Sequence, residues 1–218
     1  LEVGFLHQTQ FVWGFERWLV NLAGDPRLAA AVMDRVLDIW LAEAEAMISA
    51  VRGYGDVVLY ADDIAFQDRP MVSPRMYRTL IKPRQRRVFD LLKQSGMKVL
   101  YHSCGNVWPL VPDLIEMGVE ALNPIQVSAA EMGDTSAFKK KWGRELAFWG
   151  GIDTQHVLPL GTPQEVRQEV WRRLDDMARD GGYVLAGVHN LQPEIPPENV
   201  CAMFDAAEVW LTSKGELL

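Results

Sequence analysis

Apolar residues recur along this chain at two spacings, helical and extended, and stretches of the two kinds alternate. Phe11 to Leu22 carries them at helical spacing and stops near Gly24. Asp25-Pro26 then reads as an N-cap followed by proline in the first turn. A long helix is expected over Arg27 to Val51, with Ala30, Met33, Val36, Leu37, Trp40 and Leu41 as its apolar stripe. Glu43, Glu45 and Asp38 lie off that stripe, as solvated surface does. Short continuous apolar runs follow, such as Val57-Val58-Leu59-Tyr60 and Val99-Leu100-Tyr101. Strands are expected near 57–61, 98–102, 121–125, 146–149 and 183–186. Helices are expected at Met76 to Ser95, Val107 to Met117, Ser136 to Trp142, Val166 to Ala178 and from Pro196 to about Leu211. Thr162-Pro163-x-Glu165 has the pattern of a capping box. Residues 1–9 show no clear pattern, and His7 has no recognisable partner nearby.

Repeated βα units without a nucleotide-type glycine fingerprint predict an α/β fold of the (β/α)8 TIM-barrel kind rather than a doubly wound sheet. Five strands cannot close such a barrel. The chain also opens on Leu1 inside sequence that already looks folded. The expectation is a single barrel domain over 1–218 that holds the last five βα units of a longer protein.

Composition narrows the function. Hydrophobic residues make up 49% of the chain, enough for a substantial core. The net charge of −7 argues against a nucleic-acid partner held by phosphate neutralisation. No apolar run approaches the ~20 residues of a membrane helix, and no signal segment opens the chain. Two cysteines, Cys104 and Cys201, make no disulfide framework, so a cytoplasmic protein is expected. Eight tryptophans and nine methionines suit large apolar packing surfaces and a roomy apolar pocket.

Chemistry concentrates at the carboxyl ends of the strands, where βα barrels place their active sites. Along the chain this rim reads Asp62 and Asp63, His102 and Cys104, Asn123 and Gln126, Asp153 and Gln155, then His189 and Asn190. Helix caps account for some of the Asp and Asn residues, but not for two histidines and a cysteine. In His102-x-Cys104-Gly105 the i, i+2 spacing of an extended segment turns imidazole and thiol to one side. The plainer reading is a buried His and a small buried Cys at a strand end. The sharper one adds His189 and makes a three-ligand zinc site with an open position. Without a metal, His189 would instead hydrogen-bond an acidic substrate while Asp62 or Asp63 steers a proton. Cys201 is expected in the core, His156 at a loop or cap, and Lys82, Arg84, Arg86 and Arg87 on a solvated helix face.

Several segments resemble the uroporphyrinogen decarboxylase superfamily. They are Tyr60-Ala-Asp-Asp-Ile-Ala-Phe-Gln67 with Ser73-Pro74-x-x-Tyr77 and Pro83, Trp149-Gly-Gly-Ile-Asp153, and Val188-His189-Asn-Leu-x-Pro193-x-x-Pro196-x-Glu198-Asn199-Val200. The resemblance spans about Phe11 to Trp210 and implies a (β/α)8 barrel. It also implies one of two activities. Decarboxylases of the superfamily remove acetate side chains from a tetrapyrrole without metal or cofactor. Their key arginines and principal catalytic aspartate lie in an amino-terminal part that has no counterpart here. His102-x-Cys104-Gly105 is instead similar to the zinc motif of corrinoid-dependent methyltransferases. These move methyl groups between a corrinoid (cobalamin) protein and a thiol or other acceptor. In them a further cysteine usually stands near the position that His189 occupies. The expectation is zinc-assisted methyl transfer, with Asp62, Asp63 and His189 catalytic and Asn123, Gln126, Asp153, Gln155 and Asn190 contacting substrate. The alternatives are tetrapyrrole decarboxylation as in porphyrin biosynthesis, and a barrel that binds a corrinoid or tetrapyrrole without turnover.

Overall fold

A computed structural model describes residues 3–214. Its five strands form one sheet in the order β1-β2-β3-β4-β5, each at or within a few residues of its expected place. The chain divides into two compact units, residues 1–121 and 122–218.

The first unit begins with α1 (Phe5–Trp13), α2 (Phe15–Gly24) and α3 (Pro26–Ala50). The single helix expected over Phe11 to Leu22 is two helices, because Gly14 breaks it at a φ of 78°. A positive φ of this kind is open to glycine at little steric cost. Asp25 caps α3 as its sequence suggests, accepting the Leu28 N–H. The face of α3 that is buried is Ala29, Met33, Leu37, Trp40, Ala44 and Ile48. Ala30, Val36 and Leu41 are only half buried, so the true stripe is narrower and rotated from the expected one.

Next come β1 (Val57–Ala61), α4 (Pro74–Met76), a π-helical turn at Tyr77–Ile81, α5 (Lys82–Gln94), β2 (Lys98–His102) and α6 (Val111–Met117). β1 and β2 pair in parallel, with Ala61 opposite His102. Trp40, Tyr60, Phe89 and Tyr101 pack between sheet and helices, with ring centroids 5.2–5.7 Å apart in mostly edge-to-face contacts.

The basic cluster on α5 is only in part the solvated face expected of it: Arg86 and Arg87 keep exposed side chains, whereas Arg84 and Lys82 do not. Arg84 is buried and pairs with Asp34 of α3 at 2.7 Å. Lys82 meets Asp113 and Glu116 of α6. Helices packed on both sides supply countercharges that α5 alone does not reveal. These ion pairs clamp the helix against its neighbours.

The second unit carries β3 (Ala121–Ile125, its first residue in the first unit), α7 (Thr135–Trp142), β4 (Ala147–Ile152), α8 (Val157–Leu160), α9 (Pro163–Met177), β5 (Tyr183–Gly187) and α10 (Pro197–Lys214). β4 and β5 also pair in parallel, with Ile152 opposite Gly187. The capping box of α9 forms in full between Thr162 and Glu165. Val166, Val170 and Leu174 of α9 pack with Ala202, Met203, Ala206 and Trp210 of α10. Cys201 is exposed on α10 rather than buried in that core. Its neighbours Ala202 and Met203 take the inward positions, so the helix register turns Cys201 out. Among the described residues no helix is long and apolar enough to cross a membrane.

Candidate metal centre

The strand geometry delivers the pair it promises. His102 closes β2, and Cys104 lies two residues on, with its Sγ 3.6 Å from His102 Nε2. Ser103, between them, is buried and accepts the Ile64 N–H with its hydroxyl. This is the side-to-side alternation of extended backbone.

The loop after β2 is zipped to the loop after β1. The Asp62 N–H donates to the His102 carbonyl at 3.0 Å, and the Asn106 N–H to the Phe66 carbonyl at 2.7 Å. The Cys104 N–H donates to Asp63 Oδ1 at 2.7 Å. Gly105 permits this close approach: at its φ of 90°, a Cβ would sit under 3.0 Å from the carbonyl oxygens of Ala65 and Phe66. Cys104 is therefore held by its backbone from both sides of the sequence.

The two aspartates occupy different environments. Asp62 is fully buried. It accepts the Leu6 and His7 N–H groups at 2.9 Å each, and the Tyr60 hydroxyl. It thereby caps α1, whose own N-cap residue is Gly4 and offers no side chain. A Cβ at Gly4 would collide with the Asp62 side chain, so glycine lets the carboxylate reach the helix end. Burial pushes the Asp62 carboxyl up to about 6 in spite of His7 and these donors. Asp63 lies nearer solvent. Burial pushes it up as well, but the His7 side chain and the Cys104 N–H outweigh that and leave it below the usual carboxylate range.

His7 is the residue sequence reasoning missed. Its Nδ1 lies 3.3 Å from Asp62 Oδ1, and its Nε2 3.8 Å from Asp63 Oδ2. The Asp63 side chain, working against desolvation, raises its pKa, and the charge of Asp62 adds to this. The helix start without a capping side chain was the one local sign that an outside acceptor was needed. A buried hydrogen-bond chain steadies the same corner. Tyr77 donates to Gln85, Gln85 to the Tyr101 hydroxyl, and Tyr101 to the Asp62 carbonyl.

The Cys104 thiol is pushed up to about 12, by burial first and then by the Asp63 charge. It would hold its proton unless a cation replaced it.

In the second unit the predicted residues divide differently. Asn123 lies in β3, half buried before the cis Asn123–Pro124 bond, and Gln126 is buried just beyond the strand. Asp153 follows β4 and accepts the N–H groups of Gln155 and His156 with one oxygen. Its other oxygen meets His156 Nδ1 at 3.1 Å. His156 thus occupies the cap position expected of it, at the start of α8. Gln155, His189 and Asn190 are exposed, the last two just past β5.

Comparison with known proteins agrees with this architecture. The uroporphyrinogen decarboxylase (URO-D) family matches residues 9–210. A uroporphyrinogen decarboxylase of Thermus thermophilus is 29% identical over 135 residues, 59% of this chain and 35% of that protein. A methylated-thiol–coenzyme M methyltransferase of Methanosarcina mazei is 24% identical over 184 residues, 84% of this chain and 45% of that protein. The chain thus spans about half the length of the curated relatives it matches. Among solved structures, a methyltransferase from Methanosarcina mazei superposes with a TM-score of 0.76 at 21% identity. That match covers 95% of this chain and 57% of the other, and it shares the fold.

Proposed function

The chain belongs to the uroporphyrinogen decarboxylase family, and we propose that within it the chain serves zinc-assisted methyl transfer between a corrinoid protein and a thiol or other acceptor. One observation carries this reading: the 3.6 Å between Cys104 Sγ and His102 Nε2. A zinc ion bound at about 2.1 Å to nitrogen and about 2.3 Å to sulfur in a tetrahedron sets those two atoms about 3.6 Å apart. His189, the rim residue that follows β5 in the sequence, is the third donor of this proposal. The donor set fits a cation chemically as well, since a bound charge offsets the burial that keeps the Cys104 thiol protonated. Bound there, zinc would supply Lewis acidity that lets an acceptor thiol react as thiolate near neutral pH.

The protein's own part is orientation. Asp63 holds the Cys104 amide, and Asp62 fixes the start of α1 beside it. Asn123, Gln126, Asp153, Gln155 and Asn190 are then the groups that contact the substrate and the corrinoid partner, in one barrel domain of a cytoplasmic enzyme. Two relatives named as methyltransferases, the second a methylcobamide:CoM methyltransferase of Methanosarcina mazei, support the reading.

A second reading, decarboxylation of a tetrapyrrole, is favoured by the Thermus relative and by the buried Asp62, whose raised carboxyl suits proton handling. Metal analysis separates the two. Methyl transfer expects about one zinc per chain, lost in Cys104→Ser and retained in Cys201→Ser. Zinc-free protein that turns over substrate and ignores chelators would overturn it in favour of decarboxylation.

A further inference from the structure

Three elements of the first unit converge on the Cys104 amide. The loops after β1 and β2 are zipped together, and Asp63 closes that zip on Cys104. The third element is α1, through His7. Its backbone N–H and its Nδ1 both face Asp62 Oδ1. That carboxylate is itself fixed by Leu6 and Tyr60. With Nδ1 turned to Asp62, Nε2 lies 3.8 Å from Asp63 Oδ2, the oxygen that Cys104 does not use.

We propose that His7 is a positioning residue for the Cys104 ligand, acting through Asp63 from the start of α1. With His7 in place, Asp63 has a partner for each oxygen and stays turned inward. Without it, Asp63 Oδ2 loses this partner, and the carboxylate rotates out and releases the Cys104 N–H. The backbone at Cys104 then loses the tie that keeps Sγ facing His102. Removing the imidazole leaves the His7 N–H in place, so the capping of α1 by Asp62 survives. The consequence for a metal rests on the reading above, but the geometry does not depend on it.

The experiment reads the two separately. Hydrogen exchange of the Cys104 amide, followed by NMR on the metal-free chain, tests the positioning. Titration with Co(II), followed by its thiolate charge-transfer absorption, tests the consequence. In His7→Ala the Cys104 amide is expected to exchange at least about tenfold faster, while amides in α3 keep wild-type rates. Co(II) affinity is expected to fall about 10- to 100-fold, the usual effect of losing a partner behind a metal ligand. His7→Gln, which keeps a side-chain donor, should recover part of both effects. Asp63→Ala, which removes the acceptor itself, should reproduce them, and adding His7→Ala to it should change little more.

Unchanged protection at Cys104 in His7→Ala overturns the inference, whatever the metal does. Loss of protection in a protein whose wild type shows no thiolate band upholds it and sinks the metal reading instead. If His7→Ala does not fold, Asp63→Ala and His7→Gln decide: exchange at Cys104 unaltered in both overturns the inference.

Discussion

The ends of β1 and β2, in the first unit, and the end of β5, in the second, are built in opposite ways. At β1 and β2, Asp62 and Ser103 are fully buried, and hydrogen bonds from the Asp62, Ile64, Cys104 and Asn106 N–H groups zip the two loops together. At β5, His189, Asn190 and Leu191 are all exposed. The first unit holds its chemical groups before any ligand arrives, at the cost of an aspartate buried against its ionisation preference. The end of β5 presents groups whose geometry is less constrained by burial. Preorganised donors lose little freedom on binding, whereas exposed ones must be ordered by what they bind.

The largest expected effect strikes the fixed corner. Asp62→Ala removes the acceptor for two N–H groups and the Tyr60 hydroxyl. Each buried donor left unpaired costs about 1–3 kcal/mol, so urea unfolding should show a loss of about 3 kcal/mol or more. A loss below about 1 kcal/mol would mean that this corner is not held as described.

A pH series sharpens the same point. Asp62 has a folded pKa near 6, raised from an ordinary 3.8. A group with a raised folded pKa contributes stability that is complete below its unfolded value and is lost as pH rises through the folded one. Wild type should therefore lose up to about 3 kcal/mol relative to Asp62→Asn between about pH 4 and 7. A flat or opposite difference would remove the buried charge from the account.

The smallest effect belongs to the other side of the comparison. His189→Ala, at an exposed position, should shift unfolding stability by no more than about 0.5 kcal/mol. Its Co(II) affinity should nevertheless fall at least about tenfold if His189 is the third donor. An equal drop in stability and affinity would break the contrast between a fixed and an open strand end.

Most of the architecture was legible in the sequence because it is written locally. Five strands, the Asp25 cap and the Thr162–Glu165 box depend on residues a few positions apart. The His102-x-Cys104 pair is equally local, since alternation along one strand turns both side chains the same way. The tertiary structure alone decided what lies across long sequence separations. It brought His7 to Asp62, 55 residues away, and turned Arg84 from a surface charge into a buried partner of Asp34. It also turned Cys201 outward and split α1 from α2 at Gly14. Periodicity says which residues face inward on one element. Which charges meet there depends on how separate elements pack, and no spacing within a single element encodes that.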